Sequence, residues 1–159
     1  MKASSIKDIK LALDNADRKE LLDIALRLIK FRKENKELVT YLLFEATDET
    51  GYVIQVKDTL DLQFAEVNRT NIYIAKKNLR KIIRTANKFI KYSNEATTEI
   101  EILSYLAQAI KELNLPLKKN VALANLFTSL LKKIDKRIGS LHEDLQFDFK
   151  GLIDELRSF

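Results

Sequence analysis

The chain has 159 residues, of which 46% are hydrophobic and 32% charged, with a net charge of +5. So many apolar residues exclude a disordered chain, and the length suits one domain, residues 1–159, burying about 70% of the surface its unfolded form would expose. With no cysteine, neither a disulfide framework nor a thiolate metal site is possible, and three glycines with one proline leave little material for tight hairpin turns, so an all-α protein is expected.

Periodicity and capping residues lay out seven to eight helices in chain order. Ser5 caps a first helix to about Asp14, with Ile6, Ile9 and Leu13 inward. Asp17 followed by Glu20 has capping-box spacing and opens a second helix to about Glu34, whose stripe is Leu21, Ile24, Ala25, Leu28 and Phe31. Asn35 opens a third, along which lie Leu38, Tyr41, Leu42 and Glu45; Asp48 or Thr50 starts a fourth that buries Val53, Val56, Leu60, Phe64 and Val67.

The fifth helix, near Asn71 to Ser93, carries the chain's main asymmetry. Between Glu66 and Glu95 there is no acid, yet Arg69, Lys76, Lys77, Arg80, Lys81, Arg84, Lys88 and Lys91 fall in that span. These eight charges exceed the net charge of the whole chain, so the basic character belongs to this segment and the remainder is net negative. Ile72, Ala75, Leu79, Ile82, Ile83, Ala86 and Ile90 recur at steps of three and four and form the inward stripe. Lys77, Arg80, Lys81, Arg84, Lys88 and Lys91 then fall on the opposite face, with Tyr73, Phe89 and Tyr92 interleaved.

A sixth helix runs from about Thr97 to Leu113 with Ile100, Leu103, Leu106, Ala107 and Ile110 inward, and stops before Pro116. Leu117, Val121, Ala124, Phe127, Leu131, Ile134 and Ile138 mark a seventh that ends near Gly139. Ser140 with Glu143 repeats the capping-box spacing, and Leu141, Leu145, Phe149, Leu152 and Leu156 form the last stripe. An apolar stripe on that terminal helix, ending in Phe159, could pair two copies of the chain.

Short connections make sequential helices antiparallel hairpins, arranged as a short α-solenoid (HEAT-like) or a compact helical bundle. From Asp17 to Ile24 and from Asn35 to Leu42 the chain resembles uncharacterised bacterial all-helical proteins in which such a helix pair recurs. That resemblance covers about a quarter of the sequence and implies a helical-repeat architecture, with no functional residue to carry over. Charge follows Met1 before any apolar run forms, and no stretch reaches the roughly 18 uncharged apolar residues of a membrane span, so a soluble cytoplasmic protein that does not enter membranes is expected.

Two constellations invite a functional reading. On the basic helix, Lys77, Arg80, Lys81, Arg84, Lys88 and Lys91 suit the phosphates of DNA or RNA, with Tyr73 or Tyr92 available to stack on a base. Against that stands neutralisation within the chain, because Glu45, Asp48, Glu49, Asp58, Asp61 and Glu66 lie just upstream, where an antiparallel hairpin would set them beside the cations. The second constellation is Arg137 with His142, the only histidine, whose spacing resembles the motif of HEPN-type helical ribonucleases. That resemblance implies polarisation of a scissile phosphate and proton handling at a 2′-hydroxyl, for which a side chain titrating near neutrality is suited. Gly139 and Ser140 fall between the two and read as a helix stop and a new N-cap, which would break the shared face.

Glu45, Asp48 and Glu49 could gather a hard cation but read better as a solvated helix junction, and no Gly-rich phosphate loop or nucleophile elbow is present. Phe31, Tyr41, Phe44, Phe64, Phe89, Phe127, Phe147 and Phe149 fall mostly on inward stripes and read as core. These observations favour a non-catalytic helical interaction or scaffold module without metal or cofactor, its partner a protein or a nucleic acid met through the basic helix.

Overall fold

In a computed structural model, the structure describes residues 2–158; Phe159, the end of the expected pairing stripe, lies outside them. The described residues form eight α-helices and one π-helical segment, with no strand. The all-α class expected from composition is therefore what the chain adopts. Two compact units divide it, Met1–Phe44 and Glu45–Phe159.

The first unit contains α1 (Ile6–Asp14), α2 (Arg18–Phe31) and α3 (Lys33–Thr40), the last running into the π-helical segment Tyr41–Glu45. Ser5 caps α1 by accepting from the Asp8 N–H, and the Asp17–Glu20 box opens α2 with reciprocal bonds of 2.8 and 2.9 Å. The second helix ends earlier than its apolar spacing suggests. Arg32 is extended (φ −144°, ψ 145°), which breaks α2 after Phe31. Asn35 does not open the next helix but sits in its first turn, where its side-chain amide donates to the Leu28 carbonyl at 2.7 Å. That bond satisfies an orphan carbonyl at the end of α2 and folds α3 back upon it.

The inward stripes expected for α1 and α2 are a correction. Neither helix buries a residue: Ile6 is 87% and Phe31 75% exposed, and Ile9, Leu13, Leu21, Ile24 and Leu28 are exposed as well. Helical spacing here produces an apolar face, and α2 packs chiefly on α3 within the unit, which leaves that face exposed.

The second unit contains α4 (Glu49–Ala65), α5 (Ile72–Ser93), α6 (Ala96–Glu112), α7 (Val121–Ile138) and α8 (Glu143–Arg157). Helix α6 is central and touches each of the other four. Ile100, Ile102, Leu103, Leu106, Ala107 and Ile110 on it are fully buried, and Thr98 and Ser104 are buried too, so its apolar surface extends round most of the cylinder. Helix α4 buries Val53, Val56, Leu60 and Phe64, and α5 buries Ala75, Leu79, Ile82, Ala86 and Ile90, as their spacing predicts, whereas Ile72 of the expected α5 stripe is exposed and Ile83 only partly buried.

Boundaries follow the local chemistry. Asp48 caps α4 by accepting from the Gly51 N–H at 2.9 Å, and Asn71 caps α5 by accepting from the Ile74 N–H at 3.1 Å. Asn94 ends α5 in the left-handed region (φ 58°), a conformation that asparagine tolerates better than most residues, and so allows a two-residue reversal into α6. Asn120, not Leu117, starts α7 by accepting from the N–H groups of Ala122 and Leu123, and Leu117 is buried in the preceding connection while Val121 stays exposed. The Ser140–Glu143 box does not form, because the Ser140 hydroxyl donates to the Arg137 carbonyl at 2.6 Å and α8 begins only after His142. Of the expected α8 stripe only Leu156 is buried; Leu141, Phe149 and Leu152 are partly buried and Leu145 is exposed, while Ile153, off that stripe, is the helix's other buried residue.

Candidate functional site

Helix α5 lies in the second unit between α4 and α6, with its apolar stripe turned to both. Its outward face carries Lys77, Arg80, Lys81, Arg84 and Lys91, all exposed and, at steps of three, four and seven, on one side of the helix. Lys88 departs from this row. Its ammonium stands 4.9 Å from the centre of the Phe89 ring and 6.0 Å from that of Tyr92, and the side chain is half-buried. The two rings meet edge to face, 6.1 Å apart.

Of the two tyrosines expected to be free for stacking, Tyr92 is buried and therefore excluded. Tyr73 is 73% exposed, and Lys76 lies 5.7 Å from its ring centre.

Where the upstream acids point decides how the cationic face is presented. Helices α4 and α5 do pack together. Yet Asp48 is occupied as an N-cap, Glu45 accepts from the Gln55 amide at 2.9 Å, and Asp61 accepts from the Tyr105 hydroxyl on α6. Glu49 accepts from Ser93 at 2.9 Å and from Thr98 at 2.6 Å, tying the start of α4 to the α5–α6 turn. These carboxylates thus answer separate donors, and among the described residues no group of three or more acids and histidines could hold a metal ion. Among the described residues, Lys77, Arg80, Lys81, Arg84 and Lys91 form no ion pair.

Tyr105 shows the same inward use of charge. Burial, then its hydrogen bond to Asp61 and the nearby negative charges, push its hydroxyl well above the ordinary tyrosine value. Lys57 on α4 pairs with Glu101 on α6 at 2.6 Å and lies 5.6 Å from the Tyr105 ring centre.

Beside the cationic row, a groove of about 810 Å³ opens between α5 and α7. Ile83, Leu103, Leu126 and Leu130 provide aliphatic walls and floor; Lys76, Lys77, Arg80 and Arg84 form the α5 rim. The α7 rim is uncharged along Asn125 and Ser129 and becomes cationic only at Lys133. No aspartate or glutamate lines the groove. At one end, Lys133 donates to the Asn87 side chain at 2.5 Å and stands 3.4 Å from Glu99, which joins the three helices. The other end, near Tyr73 and Ala122, lies at the first turns of both α5 and α7, neither of which contains an acid. Sequence reasoning found the cations but not the groove, because Asn125, Ser129 and Lys133 carry no pattern that ties them to α5.

The Arg137 and His142 pair is not a shared helical face. Arg137 lies in the last turn of α7, and its Nε stands 3.0 Å from Glu99 without aiming its N–H for a hydrogen bond, so the contact is an ion pair. His142 is the exposed N-cap residue of α8, with Nδ1 3.5 Å from Asp144. A helix break separates the two, and each is engaged by an acid on a different element.

Among the described residues no helix is long and apolar enough to cross a membrane. Comparison with family models, curated proteins and solved structures finds no match for this chain.

Proposed function

We propose that this chain is a non-catalytic interaction module that receives an anionic partner on the α5 face of its second unit. One observation carries the reading: Lys77, Arg80, Lys81, Arg84 and Lys91 stand exposed in a row without ion pairs, although an acid-bearing helix packs alongside. Had intramolecular neutralisation been the purpose of the upstream acids, those carboxylates would meet the row. Instead Asp61 and Glu49 are used to fix α4 against its neighbours. Exposed cations cluster at a cost in mutual repulsion, and an arriving anion relieves that cost while drawing partners in over distances set by the ionic strength.

Binding at this face should weaken as salt rises, because each contact releases or exchanges counterions. The test is binding of labelled acidic peptides and of single-stranded and duplex oligonucleotides at low and moderate salt, to the native chain and to Arg80→Glu/Lys81→Glu/Arg84→Glu. The reading expects at least one of these anions to bind the native chain in a salt-sensitive manner and to lose at least about tenfold in affinity on reversal. No binding at low salt, or binding untouched by the reversal, would exclude the α5 face as the contact.

A further inference from the structure

We propose that the groove between α5 and α7 is the seat of an amphipathic helix from a partner protein, with acidic residues along one flank of its apolar stripe. The inference rests on the anionic-partner reading above and names the kind of partner.

Three features of the groove select this occupant. Its floor is aliphatic, with partly exposed Ile83 and Leu126 lying over the buried Leu103 and Leu130, which suits Leu-like side chains and offers no platform for stacked bases. Tyr73, the one aromatic residue in the lining, stands at the mouth with Lys76 over its ring. Its length suits a helix, since the stretch from Tyr73 to Arg84 covers three turns, about 16 Å, enough for anchors at i, i+3 or i+4, and i+7.

The charge is also one-sided: Lys76, Lys77, Arg80 and Arg84 line the α5 rim, whereas Asn125 and Ser129 face them across the groove. A phosphate backbone carries its charge evenly and gains nothing from a neutral rim. A helix can match both rims at once, with carboxylates towards α5 and small polar residues towards α7. Helices α5 and α7 both run antiparallel to α6, so their acid-free N-terminal turns add positive potential at the open end. The occupant's most acidic end should therefore lie beside Tyr73 and Ala122, and its other end should abut the Lys133–Asn87 bridge.

The test uses the full chain and a fluorescein-labelled synthetic peptide of about 18 residues, with leucines at i, i+3, i+4 and i+7, glutamates on one flank, and serines and asparagines on the other. A scrambled peptide of the same composition keeps the charge but destroys the stripe, and oligouridine supplies a nucleic-acid arm. The patterned peptide should bind at least about tenfold tighter than the scrambled one. That preference should be lost in Leu126→Asp and in Ala122→Glu, the second of which places a carboxylate in the first turn of α7, where it suits the helix and blocks the mouth. Circular dichroism checks that each variant is folded.

Equal binding of the two peptides would overturn the proposal while leaving the anionic-partner reading intact, provided Arg80→Glu/Arg84→Glu still abolishes both. Tighter binding of oligouridine than of the patterned peptide would also overturn it, with nucleic acid as the occupant. Self-association of the free chain that Ala122→Glu abolishes would replace the partner helix by a second copy. If neither peptide nor oligouridine binds at low salt, the proposal and the reading beneath it both fall.

Discussion

Helices α2 and α6 are alike on paper and opposite in the fold. Each has apolar residues at helical spacing, yet α2 buries no residue while α6 buries eight. The difference lies in neighbours: α6 meets α4, α5, α7 and α8, whereas α2 meets α3 within its unit. Periodicity states which face of a helix is apolar; only tertiary contact states whether that face is covered. Leu106→Ala should therefore have the largest effect here, a loss of roughly 3 kcal/mol from transfer and cavity terms. The same change at Leu28 should stay within about 0.5 kcal/mol. Urea denaturation of both variants measures the contrast, and equal losses would mean that the α2 stripe is covered in solution.

How far the site could be read follows the same division. The five exposed cations of α5 and their common face were legible because one uninterrupted helix sets their spacing, as were Ser5, Asp17 and Asp48 as caps, whose bonds reach only three residues ahead. Features that depend on distant partners were not legible. Tyr92 looked available but is buried; Phe31, Phe44 and Phe147 looked like core but are exposed. Asn35 caps the helix before it rather than its own, because the extended Arg32 reverses the chain. The groove needed α6 to be central, and Ile102, off the expected α6 stripe yet fully buried, is the residue that betrays this. An acidic helix next to a basic one in sequence suggested neutralisation, and the carboxylates of Asp61 and Glu49 have other partners.

At the first turn of α6, stability and binding should respond in opposite directions to one substitution. Glu99 lies near a helix N-terminus, where a carboxylate is favoured, and takes Lys133 at 3.4 Å and Arg137 at 3.0 Å from the last turns of the antiparallel α7. The pairs are partly buried, so Glu99→Gln should cost about 1 to 2 kcal/mol. The same change releases positive charge at the closed end of the groove. Affinity for an acidic peptide should therefore rise while the unfolding midpoint falls, a pairing that general damage to the fold does not produce.

Tyr105 sharpens the contrast further, since α6 also uses its half-buried positions for bonds that α2 lacks. The neutral hydroxyl donates to Asp61, and its folded pKa lies above the value of about 10 that it takes when unfolded. Below pH 10 both states keep the proton and the bond contributes in full. Above it the unfolded chain loses the proton first, so stability should decline as pH rises. Tyr105→Phe should remove about 1 kcal/mol at neutral pH and reduce that decline, measured by denaturant unfolding between pH 8 and 11.

The smallest effect is expected on α8, which lies between the two extremes, burying Ile153 and Leu156 while Phe147 is 79% exposed. Gly151 sits inside this helix with nothing within 4 Å of an added Cβ. Gly151→Ala should stabilise by about 0.5 to 1 kcal/mol through helix propensity and a less flexible unfolded chain. Gly51 is the counter-case, because an added Cβ would stand 2.9 Å from Asp48 Cγ and displace the side chain that caps α4. Losing that cap costs about 1 kcal/mol, so Gly51→Ala should show no gain. If both glycines responded alike to alanine, α8 would have neighbours in solution as close as those at the start of α4, and its exposed Phe147 face would have to be counted among the covered surfaces.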